Sequence, residues 1–138
     1  MTTLSFFVPG KPAPQGSKRH IGRGRMLESS KEVGPWRQRV AIAAHNAMTT
    51  ARIPLLTGRP ITLELDFVMP RPQRTPRSTP PAIRRPDTDK VSRAVLDALS
   101  HTVYADDAQV VDLHARKRLA AIDETPGVHI TVTAGEPA

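Results

Sequence analysis

The chain has 138 residues, no cysteine and a formal net charge of +7, with a sequence pI near 10.8. That length suits one compact domain, residues 1–138, and the missing thiols exclude disulfides and thiolate zinc, so any metal must be held by oxygen or imidazole. The opening apolar run (Leu4, Phe6, Phe7, Val8) has no basic segment before it and is too short for a signal peptide or a membrane span. The expectation is therefore a soluble, cytoplasmic protein with no membrane partner.

A basic domain of this size commonly meets a polyanion, nucleic acid above all. The charge is unevenly spread. Residues 1–86 hold 15 Lys/Arg against 4 Asp/Glu, whereas residues 87–138 hold 5 against 9. A protein that only coats DNA has no need of the second, acidic part.

Thr2 to Val8 reads as an opening strand ended by Pro9-Gly10. Residues 9–28 follow as a basic loop or loose hairpin carrying Lys11, Lys18, Arg19, Arg23 and Arg25 among four glycines, suited to phosphates and equally to a solvated loop. A helix is predicted from Ser29 or Ser30 to about Arg52, its regular part beginning at Pro35, with Trp36, Val40, Ala43, Ala44 and Ala47 at helical spacing. Pro54 closes it. Ile61 to Met69 alternates as a strand, with Glu64 and Asp66 on its polar face. Residues 70–86 hold six prolines, five arginines and no acid, which predicts an extended, mobile arm whose Arg71, Arg74, Arg77, Arg84 and Arg85 suit DNA phosphates. A second helix starts at Asp87 or Thr88, with Val91, Ala94, Val95, Ala98 and Leu99 as its apolar stripe. Strands at Ala108–Leu119 and Gly127–Thr133 complete a β-α-β-α-β-β order. The fold class is α+β, a single domain with a mixed or mostly antiparallel sheet and two helices packed on it.

The chemistry concentrates around the second helix. Asp87 and Asp89 flank Thr88 at its N-terminus, where free N–H groups and the helix dipole favour ionised carboxylates. One such Asp is explained by capping; two, directly after an arginine arm, ask for more. The helix spans roughly 20 Å at 1.5 Å per residue, and residues 100–106, if extended at ~3.3 Å per residue, return most of it. Asp107 can then come back beside Asp87 and Asp89, and three carboxylates so gathered need a divalent cation. Oxygen donors in a basic, cysteine-free protein fit Mg²⁺, with Mn²⁺ as a substitute. Arg93 lies one turn after Asp89, held by Asp97 another turn on, where its guanidinium would sit over a bound phosphate; Lys90 is a second candidate for that role. Among the remaining basic groups, Lys117 sits on the otherwise apolar side of its strand, reaching toward the site or past the sheet edge, and is counted with the nucleic-acid-binding cations; His114 faces outward.

Three ordered segments carry a family likeness: Pro86-Asp87-Thr88-Asp89-Lys90, Val95-Leu96-Asp97-Ala98-Leu99, and Tyr104-Ala105-Asp106-Asp107-Ala108-Gln109-Val110-Val111. In these the chain resembles the RusA family of Holliday junction resolvases, of phage or prophage type. The family pattern is Asp-x-Asp-Asn, a Lys one turn later, Asp-Ala-Leu, and Asp-Asp before a Gln-Val strand. The resemblance implies a homodimer that binds branched, four-way DNA and makes paired Mg²⁺-dependent incisions, with no organic cofactor. Asp87, Asp89 and Asp107 match the family's metal-binding carboxylates. Arg93 stands where the family has its lysine and Lys90 where it has Asn; Arg cannot release its proton at working pH, so it serves as charge alone. From the sequence, a non-catalytic nucleic-acid-binding module and a nuclease for other branched DNA stand as alternatives.

Overall fold

The structure, a computed structural model, describes residues 1–16, 18–20, 26–28 and 31–137, with 18–20 and 26–28 considered as backbone. Its strands are β1 (Thr2–Pro9), β2 (Lys18–His20), β3 (Met26–Glu28), β4 (Ile61–Met69), β5 (Val110–Leu119) and β6 (Gly127–Ala134). The helices are α1 (Val33–Ala51) and α2 (Thr88–Leu99), with a 3-10 turn at Asp107–Gln109. No described helix is long and apolar enough to cross a membrane.

Alternation decides the sheet. Ile61, Leu63, Leu65 and Phe67 are all buried on one face of β4 while Glu64 is exposed on the other, so β4 is one-sided and must be covered on its apolar face. Burial of each such side chain contributes about 1.5–3 kcal/mol. The main sheet runs β1-β6-β4-β5: β6 is antiparallel to both β1 and β4, and β5 is parallel to β4 at the edge. The parallel pair needs a crossover, which the arm and α2 supply. The two helices also pack on each other. This is the predicted α+β domain with a mixed sheet.

The second helix buries Val91, Ala94, Val95, Ala98 and Leu99, as the sequence stripe predicts. In α1 the buried side chains are Val33, Trp36, Val40, Ala44 and Met48. That helix begins two residues before the expected Pro35, because a proline in the first turn sacrifices no intrahelical bond. It ends at the C-cap Arg52, whose left-handed φ of 57° turns the chain so that the Ile53 N–H donates back to the Met48 carbonyl at 2.9 Å. Where the end of β1 lies beside the start of β6, Gly127 faces the Val8 carbonyl and the Phe7 ring so closely that no Cβ fits.

β2 and β3 pair antiparallel, the loose hairpin expected within residues 9–28. Arg23 and Arg25 lie outside the described residues, as do the side chains of Lys18, Arg19 and His20.

Candidate active site

The arm carries no helix or strand, yet it is tied at both ends. At its start Arg71 donates to the Thr79 hydroxyl (2.8 Å), to the Ala120 carbonyl (3.1 Å) and to the Pro76 carbonyl. At its end Lys117 Nζ, reaching across from β5, donates to the carbonyls of Arg84 (2.6 Å) and Pro86 (2.7 Å). Arg74, Arg77, Arg84 and Arg85 between these ties are exposed, as is Lys11. The arginines thus divide into Arg71, spent on the chain's own backbone, and four that face solvent.

The arm delivers the chain to α2. Asp87 is the N-cap residue by backbone geometry (φ −69°, ψ 145°), and its carbonyl receives the first helical N–H groups. Its carboxylate makes no capping bond. Asp89, in the first turn, is exposed and has no side-chain partner among the described residues. The ordinary explanation for an acid at this place, a cap, therefore fails for Asp87. Ser92 is buried and satisfied by the Thr88 carbonyl at 2.7 Å.

The second acidic pair is used differently. After α2 the chain does not run extended: His101 adopts a left-handed φ of 67° and donates its N–H to the Tyr104 carbonyl at 2.7 Å. Asp106 caps the 3-10 turn, accepting from Ala108 N–H at 2.9 Å. That hydrogen bond holds its carboxyl below the ordinary range. Gln109 completes the turn: its oxygen accepts from the N–H groups of Ala105 and Asp106, and its amide donates to the carbonyls of Leu56 (2.7 Å) and Arg59 (3.0 Å). With every polar atom of Gln109 engaged, Asp107 is held at a fixed place.

That place is opposite Arg93. The Arg93 guanidinium lies 3.3 Å from Asp107 and 3.6 Å from Asp97, and Arg37 of α1 reaches Asp97 at 3.8 Å while donating to the Gln15 side chain at 2.9 Å. A polar chain thus runs from the basic loop through α1 and α2 to Asp107. Beneath it, burial together with the negative charge of Asp107 and Asp97 pushes the Tyr104 phenol above its ordinary range. Its hydroxyl donates to the Leu96 carbonyl.

The tight turn brings the Asp107 carboxylate to the Arg93 guanidinium, whose residue lies one helical turn after Asp89. Among the described residues no three His, Asp or Glu side chains stand close enough to hold a metal ion. The structure brings together Asp107, Arg93 and Asp97, while Asp87 and Asp89 stand two positions apart at the start of α2. Along the first turns of α2 lies an open groove of about 420 Å³, walled by Thr88, Asp89, Ser92 and Arg93 and floored by Leu96, Leu113 and Ala115. Lys90 beside it is exposed, with its carbonyl accepting from Gln15 N–H. Glu64 and Asp66 are on the opposite face of the sheet, where Asp66 pairs with Arg116, and His114 pairs with Asp112 at the edge. Asp89 is the carboxylate that lines the groove; with Asp87 uncapped at the same helix start and Asp107 paired to Arg93, the acids near it offer oxygen donors, the kind a hard divalent cation takes.

Sequence reasoning missed Gln109, Arg37 and Gln15 as supports. Only the i, i+4 spacing of Arg93 and Asp97 signalled this network in advance.

Residues 9–133 match the family Endodeoxyribonuclease RusA. The chain belongs to that endodeoxyribonuclease family. It is also similar to the uncharacterized protein YqaN of Bacillus subtilis (strain 168), at 29% identity over 147 residues and 96% of each chain. The family match spans the arm, both acidic pairs and the helix α2 between them.

Proposed function

We propose that the protein is a Mg²⁺-dependent endodeoxyribonuclease that resolves four-way DNA junctions by paired strand hydrolysis as a homodimer. The carrying observation is the pair of unspent carboxylates, Asp87 and Asp89, at the foot of an arm of exposed arginines in a chain of the RusA family. Asp87, Asp89 and Asp107 would hold the cation, Mg²⁺ or Mn²⁺. When bound, it supplies the positive charge that lowers the pKa of a water and polarises a phosphodiester. Arg74, Arg77, Arg84, Arg85 and Lys11 bind backbone phosphates, with Lys18, Arg19, Arg23 and Arg25 in the same role. This cationic set makes binding steeply salt-dependent.

Arg93 is the exchangeable part. In the free protein it neutralises Asp107; with DNA in the groove its guanidinium turns to a phosphate oxygen, stabilising charge that develops there and freeing Asp107 for the cation. Asp97 holds the Arg93 stem through this change. Lys90, exposed beside the groove, adds positive charge at its rim. The apolar floor keeps bulk water from one side of the reacting phosphate.

The test is cleavage of an end-labelled four-way junction with Mg²⁺, against the same junction with EDTA and against linear duplex of matched sequence. Symmetric paired cuts in the Mg²⁺ lane alone are expected. Tight binding without cutting would replace the reading with a binding module. Equal cutting of linear duplex would replace it with a general nuclease.

A further inference from the structure

The groups that grip DNA and the groups that cut it are on the same stretch of chain, joined at Pro86. Arg84 and Arg85 are exposed on one side of that proline, and Asp87 opens α2 on the other. No ladder of backbone hydrogen bonds holds this stretch, because residues 70–86 form neither helix nor strand. At its start it is tied by Arg71, and at its foot by a single side chain from the sheet. Lys117 belongs to β5 and stands in register with buried Phe67, on the helix-covered side of the sheet. Half-buried there, its ammonium donates to the Arg84 carbonyl at 2.6 Å and the Pro86 carbonyl at 2.7 Å. These two carbonyls bracket Arg85, and the second belongs to the peptide unit that leads into Asp87. Bonds from a charged donor are the strong kind, and two of them from one nitrogen fix direction as well as distance.

We propose that Lys117 is a positioning residue that locks the foot of the arm to the sheet, so that phosphates gripped by Arg84 and Arg85 are registered against Asp87. The proposal rests on the nuclease reading for its consequence, not for its geometry. Neighbouring cations of β5 serve elsewhere: Arg116 pairs with Asp66 and Arg118 with Glu124. The Arg84 carbonyl is exposed and the Pro86 carbonyl part-buried, within reach of water once the ammonium is removed. Loss of Lys117 therefore costs order at the foot of the arm rather than the fold.

The full-length protein is compared with its Lys117→Met and Lys117→Arg variants, with melting curves to establish that each is folded and Lys117→Gln in reserve if the Met variant is not. Limited trypsin without DNA reads the lock directly. Cleavage after Arg84 is expected to speed by about tenfold in the Met variant, relative to cleavage after Arg74, since proteolysis follows local opening. The Arg variant is expected to restore most of the protection. Single-turnover junction cleavage at saturating protein should fall about 10- to 100-fold in the Met variant, the usual cost of removing a group that orients a metal ligand, while junction affinity changes little. Two results overturn the proposal. One is an unchanged trypsin ratio; the other is a faster ratio with a cleavage rate equal to wild type. A wild-type protein that cuts no junction would sink the nuclease reading instead, leaving the trypsin comparison to decide the lock.

Discussion

The two acidic pairs, Asp87/Asp89 and Asp106/Asp107, are alike in sequence and unlike in structure. In the second pair each carboxylate has work within the chain: Asp106 caps the 3-10 turn, and Asp107 lies 3.3 Å from the Arg93 guanidinium. In the first pair neither has; Asp87 sits at the N-cap without capping, and Asp89 is exposed and unpartnered among the described residues. The difference teaches how to read acids in a nuclease. A carboxylate bound to backbone N–H groups, as Asp106 is, explains local structure, whereas one without a partner, or paired only to a mobile side chain as Asp107 is, is available to a ligand.

The comparison can be broken most severely at the first pair. Asp89→Asn, and Asp87→Asn likewise, should reduce Mg²⁺-dependent cleavage by at least about 100-fold while junction binding in a gel-shift assay is kept or improved, since a repelling charge has been removed. Normal cutting by either variant would mean that the unsatisfied pair is idle.

A sharper cut runs within the second pair. Asp107→Asn should lose cleavage nearly as fully as Asp89→Asn. Asp106→Asn should keep most activity and lower the melting temperature by a few degrees, because it removes a charged cap. The cap weakens with acid in a definite direction. The Asp106 carboxyl is held below its ordinary value of 3.8, so its stabilisation is present above that pH and fades as pH falls further. Equal activity losses in the two variants would erase the distinction between neighbours.

Next comes the guanidinium that joins the pairs. Arg93→Ala is expected to slow cleavage about 100-fold, and Lys90→Ala to slow it far less. With Asp107 released, the Arg93→Ala protein should nonetheless bind Mn²⁺ no more weakly than wild type. A reversed order of the two variants would assign the catalytic charge to Lys90.

The smallest effect concerns an acid remote from the site. Glu124 accepts two bonds from the Arg118 guanidinium (2.6 and 2.7 Å) and one from Ala121 N–H, and these hold its carboxyl at about 2 instead of 4.5. Its contribution is present above pH 4.5 and is lost as pH falls toward about 2. Thermal melts of wild type and Glu124→Gln should differ at neutral pH and converge near pH 2, with cleavage at neutral pH unaltered.

Much of this architecture was legible in the sequence. Alternation placed β4 at Ile61–Met69, and the 3.6-residue stripe placed α2, because in both elements a single face is buried and periodicity reports it. The start of α1 was less legible, since a proline is tolerated in any position of the first turn. The return of the chain to α2 was expected along an extended path, but the left-handed residue His101 folds residues 100–104 into a turn, and the Asp107 carboxylate meets the Arg93 guanidinium. Gln109 could not be assigned a role from its neighbours, because its partners, Leu56 and Arg59, are some fifty positions away. The ties made by Arg71 and Lys117 are of the same long-range kind. Periodicity speaks of faces; it says nothing of which backbone carbonyl a lysine will find.

Manganese binding, followed through the loss of the free-ion paramagnetic signal as protein is added, tests the central claim without any DNA or turnover. Wild type should take up Mn²⁺ in competition with Mg²⁺, and a protein carrying both Asp87→Asn and Asp89→Asn should leave the signal of the free ion unchanged. Equal uptake by the two proteins would contradict the account.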